Sequence, residues 1–329
     1  MADDDPRDGN YPGMYRYSEG YTVWMQMRAF IAETLKIEPQ KIWYFYLAGH
    51  IGDQVSALTA IGAFKKRRGN PPVAAITDGP PDLATLFSHC VDMFCKPAQS
   101  DFLAPVMPLQ RFAPGYPIIV EPHFFGDGRL LDLFPACTFN DLVRFILRLP
   151  MGTPLVPPIV PAAAREQADR VFAAYGLPPG RTVLLAPFSN SAPRMPVRWW
   201  AEAADFMKKR GLIPVTNVPN HYGAVKREDA IPGTIGVDVL LLQVIPFLER
   251  AGHFLASVQG LCDLVSFASA KLKIIYTPAH FVDGIRPEDG GSPTGGYSLV
   301  RNYAPTFCDQ LELTPDMPFD PAVLQGWVD

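Results

Sequence analysis

The stretch "AGHIGDQ", residues 48–54, sets a histidine and an acid among two glycines, between an apolar run and an amphipathic one. Gly52 permits a tight turn or the close approach of a ligand. Asp53 stands at or just before a helix start, where a carboxylate commonly accepts a backbone N–H as a cap. Placed at a cleft, the same carboxylate is a general base that takes a proton from a hydroxyl. His50 is its loop neighbour. Three more loops combine such residues. "APFSNSAPRMPVRWW" (186–200) offers Ser189, Asn190 and Ser191, then Arg194 and Arg198 ahead of a helix. Hydroxyls, helix-start amides and guanidinium groups all bind phosphate oxygens, although the G-x-x-x-x-G-K of a P-loop is missing. "SVQGLCDLVS" (257–266) is a strand–glycine–helix junction. Its amides around Gln259, Gly260 and Leu261 suit a diphosphate, and Asp263 falls in the first helical turn, where an acid also simply matches the helix dipole. "VEPHFFGDGR" (120–129) carries Glu121, His123 and Asp127 around a turn signal, and His123 is either structural or part of an acceptor site.

Each loop needs a strand before it and, in three cases, a helix after it. "KIWYFYLA" (41–48), "PVAAIT" (72–77) and "YPIIVEPHF" (116–124) read as strands, with a short one in "VDMFCK" (91–96). Helical spacing covers 20–36, with Trp24, Met27 and Ile31 on one face, and 54–69, with Val55, Leu58, Ile61 and Phe64 on one face. Shorter helices are expected at 82–90 and 139–149, the latter with Asn140 as N-cap. "LPMGTPLVPPIVP" (149–161) holds five prolines and no periodicity, and reads as a stiff linker. The alternation then restarts: helix 161–176, strand 181–189, helix 197–211, strand 212–218, a helix within 237–252, strand 253–258, helix 261–270 and strand 272–277. Alternating strands and helices make a parallel α/β sheet, and here they make two. The expected organisation is an acidic disordered tail (1–13), a Rossmann-like half (14–150), a linker (151–161) and a second Rossmann-like half (162–329).

Bulk composition narrows the function. The 329 residues are 48% hydrophobic and 19% charged, enough apolar material for sizeable cores. A net charge of −4 argues against a nucleic-acid partner, which needs a basic field. The first residues lack the basic and apolar regions of a signal peptide, and the most apolar stretch, "VDVLLLQVIPFL" (237–248), is too short to span a bilayer. The polar face of helix 20–36 carries only Arg28 and Lys36, so peripheral membrane contact is not indicated. Five scattered cysteines without a C-x-x-C fit free thiols in a reducing compartment, and the expected location is cytoplasmic. His89, Cys90 and Cys95 offer too few ligands for a metal and read as a histidine beside buried thiols.

Taken together, these residues resemble a GT-B glycosyltransferase of the bacterial ADP-heptose:lipopolysaccharide heptosyltransferase type. The family's first strand ends in a Gly-Asp pair before a helix, as Gly52-Asp53 does before "QVSALTAIGAFKK". Its second half opens with a strand, a small-residue loop, then Lys-x-Trp and a helix. Here "LLAPFSNSAPRMPVRWWAEAADF" matches, with Arg198 for the lysine and Trp200 as the tryptophan. Its later Asp-Ser-Gly-x-x-His matches "VQGLCD", where Gly260 is kept and Val258, Gln259 and Asp263 replace the other three. The resemblance covers roughly 42–70 and 180–280 and implies two Rossmann-like domains facing a cleft. It also implies transfer of a sugar from a nucleotide sugar to a glycan or other hydroxyl acceptor, in bacterial surface glycan synthesis. No cofactor is expected, the nucleotide sugar being a substrate, and no metal either, since a D-x-D occurs only in "DDD" (3–5). On this pattern Asp53 is the base. Ser189, Asn190, Ser191, Arg194, Arg198, Gln259, Gly260, Leu261 and Asp263 face the donor, while His50, Gly52 and His123 face the acceptor. The three replacements leave a degenerate GT-B binding or scaffold protein as one alternative, and a sugar-nucleotide epimerase of the same architecture as the other.

Overall fold

The computed structural model describes residues 12–96, 111–120, 136–189, 193–218, 229–277 and 297–328. In chain order its first half contains α1 (Pro12–Leu35), β1 (Trp43–Leu47), α2 (Ile51–Arg67), β2 (Val73–Thr77), α3 (Pro81–Leu86), β3 (Met93–Cys95), β4 (Pro117–Ile119) and α4 (Phe139–Ile146). The second contains α5 (Ala162–Ala174), β5 (Thr182–Ala186), α6 (Val197–Lys209), β6 (Ile213–Asn217), β7 (Ile235–Val237), α7 (Val244–Ala251) and β8 (Gly252–Ser257). It closes with α8 (Gly260–Val265), β9 (Lys271–Tyr276), α9 (Leu299–Tyr303), β10 (Phe307–Glu312) and α10 (Gln325–Val328).

Two parallel sheets result. The first runs β3-β2-β1-β4 and the second β10-β9-β8-β5-β6-β7. Numbered within itself, each sheet starts 3-2-1-4, so its order reverses between its first and fourth strands. In open α/β sheets a ligand crevice opens beyond the carboxyl ends at this reversal. The strands are apolar on both faces because both faces are covered. In β1, Tyr44 and Tyr46 pack with Trp24 and Ile31 of α1, while Trp43, Phe45 and Leu47 turn to Leu58, Ile61 and Phe64 of α2. In the second sheet Val183, Leu185, Leu255 and Ile275 meet Trp199 and Trp200 of α6 and Trp327 of α10. The opposite face joins a core that runs from Phe45 through Val156 and Phe172 to Phe254, Ile274 and Leu299, so the halves share packed interior. The proline-rich crossover is tied down, with Val156 N donating to Thr59 O at 3.0 Å and Ile159 N to Leu86 O at 2.9 Å.

Some local expectations shift. The α1 helix begins at Pro12, inside the stretch read as tail. Asn140 is not the cap of α4. Thr138 is, accepting Asp141 N–H while the Asp141 carboxylate accepts Thr138 N–H at 3.0 Å, a reciprocal T-x-x-D box. Beyond 277, where the sequence pattern signals no element, lie α9, β10 and α10. Among the described residues no helix is long and apolar enough to cross a membrane.

Candidate functional site

The first reversal lies between β1 and β4, so Ala48–His50 and Val120 sit at its crevice. The α2 helix leaves from here. His50 is its N-cap, and Asp53, three residues on, accepts the His50 N–H at 2.7 Å. Asp53 is thus the N3 member of the cap, not the N-cap itself. Gln54 stiffens the same turn, donating to Gly49 O at 3.2 Å and accepting from Thr77 Oγ1 at 2.8 Å.

The second reversal lies between β5 and β8, so the loops after Ala186 and Ser257 meet there. Gln259 fastens them, its Nε2 donating to Ala186 O at 2.9 Å and to Ser257 O at 3.4 Å. Ser189 is buried, and Arg194 Nε donates to its carbonyl at 3.3 Å, with the guanidinium 5.9 Å from the Phe188 ring. Arg198 projects into solvent from the first turn of α6, its side chain 89% exposed and paired with Glu202 at 2.7 Å. Asn190, Ser191 and His123 lie outside the described residues, as do Glu121 and Asp127.

The two crevices face each other. A β-carbon built on Gly52 would strike the Asp263 carboxylate and stand 3.1 Å from Gly260 Cα, and one on Gly260 would stand 2.6 Å from Gly52 N. Only two glycines let the starts of α2 and α8 come this close. This brings Asp53 and Asp263 within electrostatic reach. Asp263 is pushed up to about 7, first by removal from water, then by the charge of Asp53, with the Tyr303 hydrogen bond pulling the other way.

Behind the carboxyls lies a polar join that the sequence reading missed. Tyr303 hydrogen-bonds Asp263 and Ser56 Oγ, the latter at 2.8 Å. Ser56 Oγ also donates to Asn140 Oδ1. Asn140, fully buried, donates from its backbone to Asn302 Oδ1 at 2.8 Å and from Nδ2 to Asn302 O at 2.9 Å. Arg301 Nη2 reaches Ala136 O at 2.7 Å. The halves are thus joined by hydrogen bonds from Ser56 to Tyr303, from Asn140 to Asn302 and from Arg301 to Ala136. One signal for it was readable, namely Ser56 and Thr59 interrupting the buried, otherwise apolar run Val55–Phe64 of α2.

No family model matches the chain, and no curated protein does. Solved structures do. The glycosyl transferase family 9 protein from Veillonella parvula superposes with a TM-score of 0.56 at 12% identity, over 83% of this chain and 86% of that one. E. coli ADP-heptose LPS heptosyltransferase II gives 0.56 at 11%, over 88% and 98%. The fold is GT-B. E. coli heptosyltransferase WaaC, solved with ADP, gives 0.52 at 12% identity over 87% and 98%. As in the GT-B arrangement, the chain has two Rossmann-like α/β halves, and the starts of α2 and α8 face each other where those halves meet. Among the described residues no three His, Cys, Asp or Glu side chains group as metal ligands. Cys90 is buried and pushed up to about 12 by desolvation, the behaviour of a packed thiol.

Proposed function

We propose that this protein is a nucleotide-sugar-dependent glycosyltransferase that transfers its sugar to a hydroxyl acceptor, in surface glycan synthesis. The observation that carries the reading is the meeting of the two sheet reversals at the Gly52–Gly260 contact, which brings Asp53 of the first half within electrostatic reach of Asp263 in the second. In this reading the second half holds the nucleoside diphosphate, through Ser189, Asn190, Ser191, Arg194 and Arg198 and the backbone of Gln259, Gly260 and Leu261. The ADP in the similar WaaC structure supports a diphosphate ligand for this fold. Charge builds on the diphosphate as the sugar bond breaks, and fixed donors oriented in advance stabilise it without a metal. Asp53 takes the proton of the acceptor hydroxyl as the new bond forms. His50, Gly52 and His123 shape the acceptor side.

Calorimetry with nucleoside diphosphates and a panel of nucleotide sugars tests this. Binding in the micromolar range is expected, and a chain that binds no nucleotide at all ends the proposal. Asp53→Asn keeps an oxygen for the His50 N–H and therefore the helix start. Transfer should fall by about 10²–10⁴-fold while donor affinity stays within a few fold. Turnover that survives this change would reduce Asp53 to a cap.

A further inference from the structure

Asp53 and Asp263 are identical groups, one from each half, in unlike surroundings. Asp53 accepts a backbone N–H at the head of the 17-residue α2, where the positive end of the helix favours a carboxylate. Asp263 has Gly52 against its Oδ2 and the Tyr303 hydroxyl as hydrogen-bond partner. Tyr303 is itself held by Ser56, and Ser56 by the buried Asn140. Among the described residues, the titratable groups facing Asp263 are Asp53 from α2, Tyr303 from α9, Tyr276 from β9 and Cys262 from its own helix, with Cys308 of β10 beyond Cys262. Each of these is an acid. The charge of Asp53 makes ionisation of Asp263 costlier, and the other groups around Asp263 add none of opposite sign.

We propose that Asp263 is a positioning residue that acts through Asp53: oriented by Tyr303 and seated on Gly52, its carboxyl keeps its own proton, so that no charge of its own opposes Asp53. The consequence for catalysis rests on the transferase reading. The acceptor O–H proton passes to Asp53, the acceptor oxygen bonds the sugar carbon, and the bond from that carbon to the diphosphate breaks. Asp263 retains its own proton throughout. When it loses that proton, two charges oppose each other across the Gly52–Gly260 contact and turnover falls.

The test is a titration of the full chain carrying ¹³C at aspartate carboxyl carbons, followed by NMR without substrate, with Asp263→Asn identifying the signal. The Asp263 midpoint is expected near neutrality. It should move down in Asp53→Asn, which removes the like charge, and up in Tyr303→Phe, which removes a donor to the ionised form. A midpoint in the ordinary carboxylate range, or one that ignores Asp53→Asn, overturns the proposal. Turnover supplies the second arm. In the wild type kcat/KM should fall above neutrality by up to about tenfold per pH unit. Asp263→Asn, neutral at every pH, should lose that fall whatever the height of its plateau. A uniform loss at all pH values, with the fall intact, would mark Asp263 as merely structural and also overturn the proposal. If the midpoint behaves as expected but no nucleotide binds, the transferase reading fails and the proton assignment stands.

Discussion

Asp263 carries a stability signature as well as a catalytic one. Its folded-state affinity for a proton is raised to about 7, against about 3.9 in an unfolded chain. Between those values the folded state binds the proton and the unfolded state does not. Stability on this account is therefore highest below pH 4, falls as pH rises from about 4 to 7, and is level above. Asp263→Asn cannot ionise and keeps an oxygen for Tyr303. It should match the wild type near pH 4.5 and exceed it near pH 8, by on the order of 2–4 kcal/mol at about 1.4 kcal/mol per pH unit. Urea midpoints at the two pH values measure this, and an equal gap at both would remove burial and Asp53 as the cause. A helix-first-turn acid ordinarily stabilises, so the predicted sign is opposite to what its position alone suggests.

At the scale of elements, the α2–α8 contact tests itself through its glycines. Neither Gly52 nor Gly260 has positive φ, and both lie within the first two residues of a helix, where alanine is favoured by up to about 1 kcal/mol. Propensity alone would make Gly260→Ala stabilising. The new methyl would instead stand 2.6 Å from Gly52 N, a backbone atom that cannot rotate away. Destabilisation by about 1–3 kcal/mol is expected, seen as a lower Tm, and a raised Tm would mean that the two helix starts are not in contact. What could be read in the sequence follows from the same physics. Strands buried on both faces are apolar runs, so "WYFYL", "TVLLA" and "HFLAS" were visible. The glycines and small residues at their exits marked the strand-end loops that meet at the reversals. The edge strand β10, "FCDQLE", is half polar without alternating, and α9 has five residues, so neither stood out. Asn140 misled because an asparagine at a helix start resembles a cap, although T-x-x-D beginning at Thr138 was the stronger sign. Tyr303 lies 247 residues from Ser56, and no local pattern links such a pair.

Across the whole molecule, the question is whether the halves unfold separately. At 329 residues in two sheets, separate transitions are the ordinary expectation. Two features oppose it. The apolar core is continuous from Phe45 to Leu299, and Asn140 and Asn302 tie α4 to α9 by two hydrogen bonds in a buried setting. Asn302 also donates to Ser298 O at 2.9 Å, which fixes α9 itself. Removing Asn302 as alanine leaves the buried Asn140 N–H without its acceptor, while Asn140 Nδ2 keeps the backbone carbonyl of residue 302, at a cost of about 1–3 kcal/mol for the unsatisfied group. That loss falls on the join and spares the sheets. Hydrogen exchange under rising urea, read on peptides from β1 and from β8, should show one shared midpoint in the wild type and two in Asn302→Ala. If the wild type already shows two, the core does not couple the halves. If the variant lowers one shared midpoint without splitting it, the apolar core holds the halves together unaided, and the polar join serves Tyr303 and Asp263 rather than the fold.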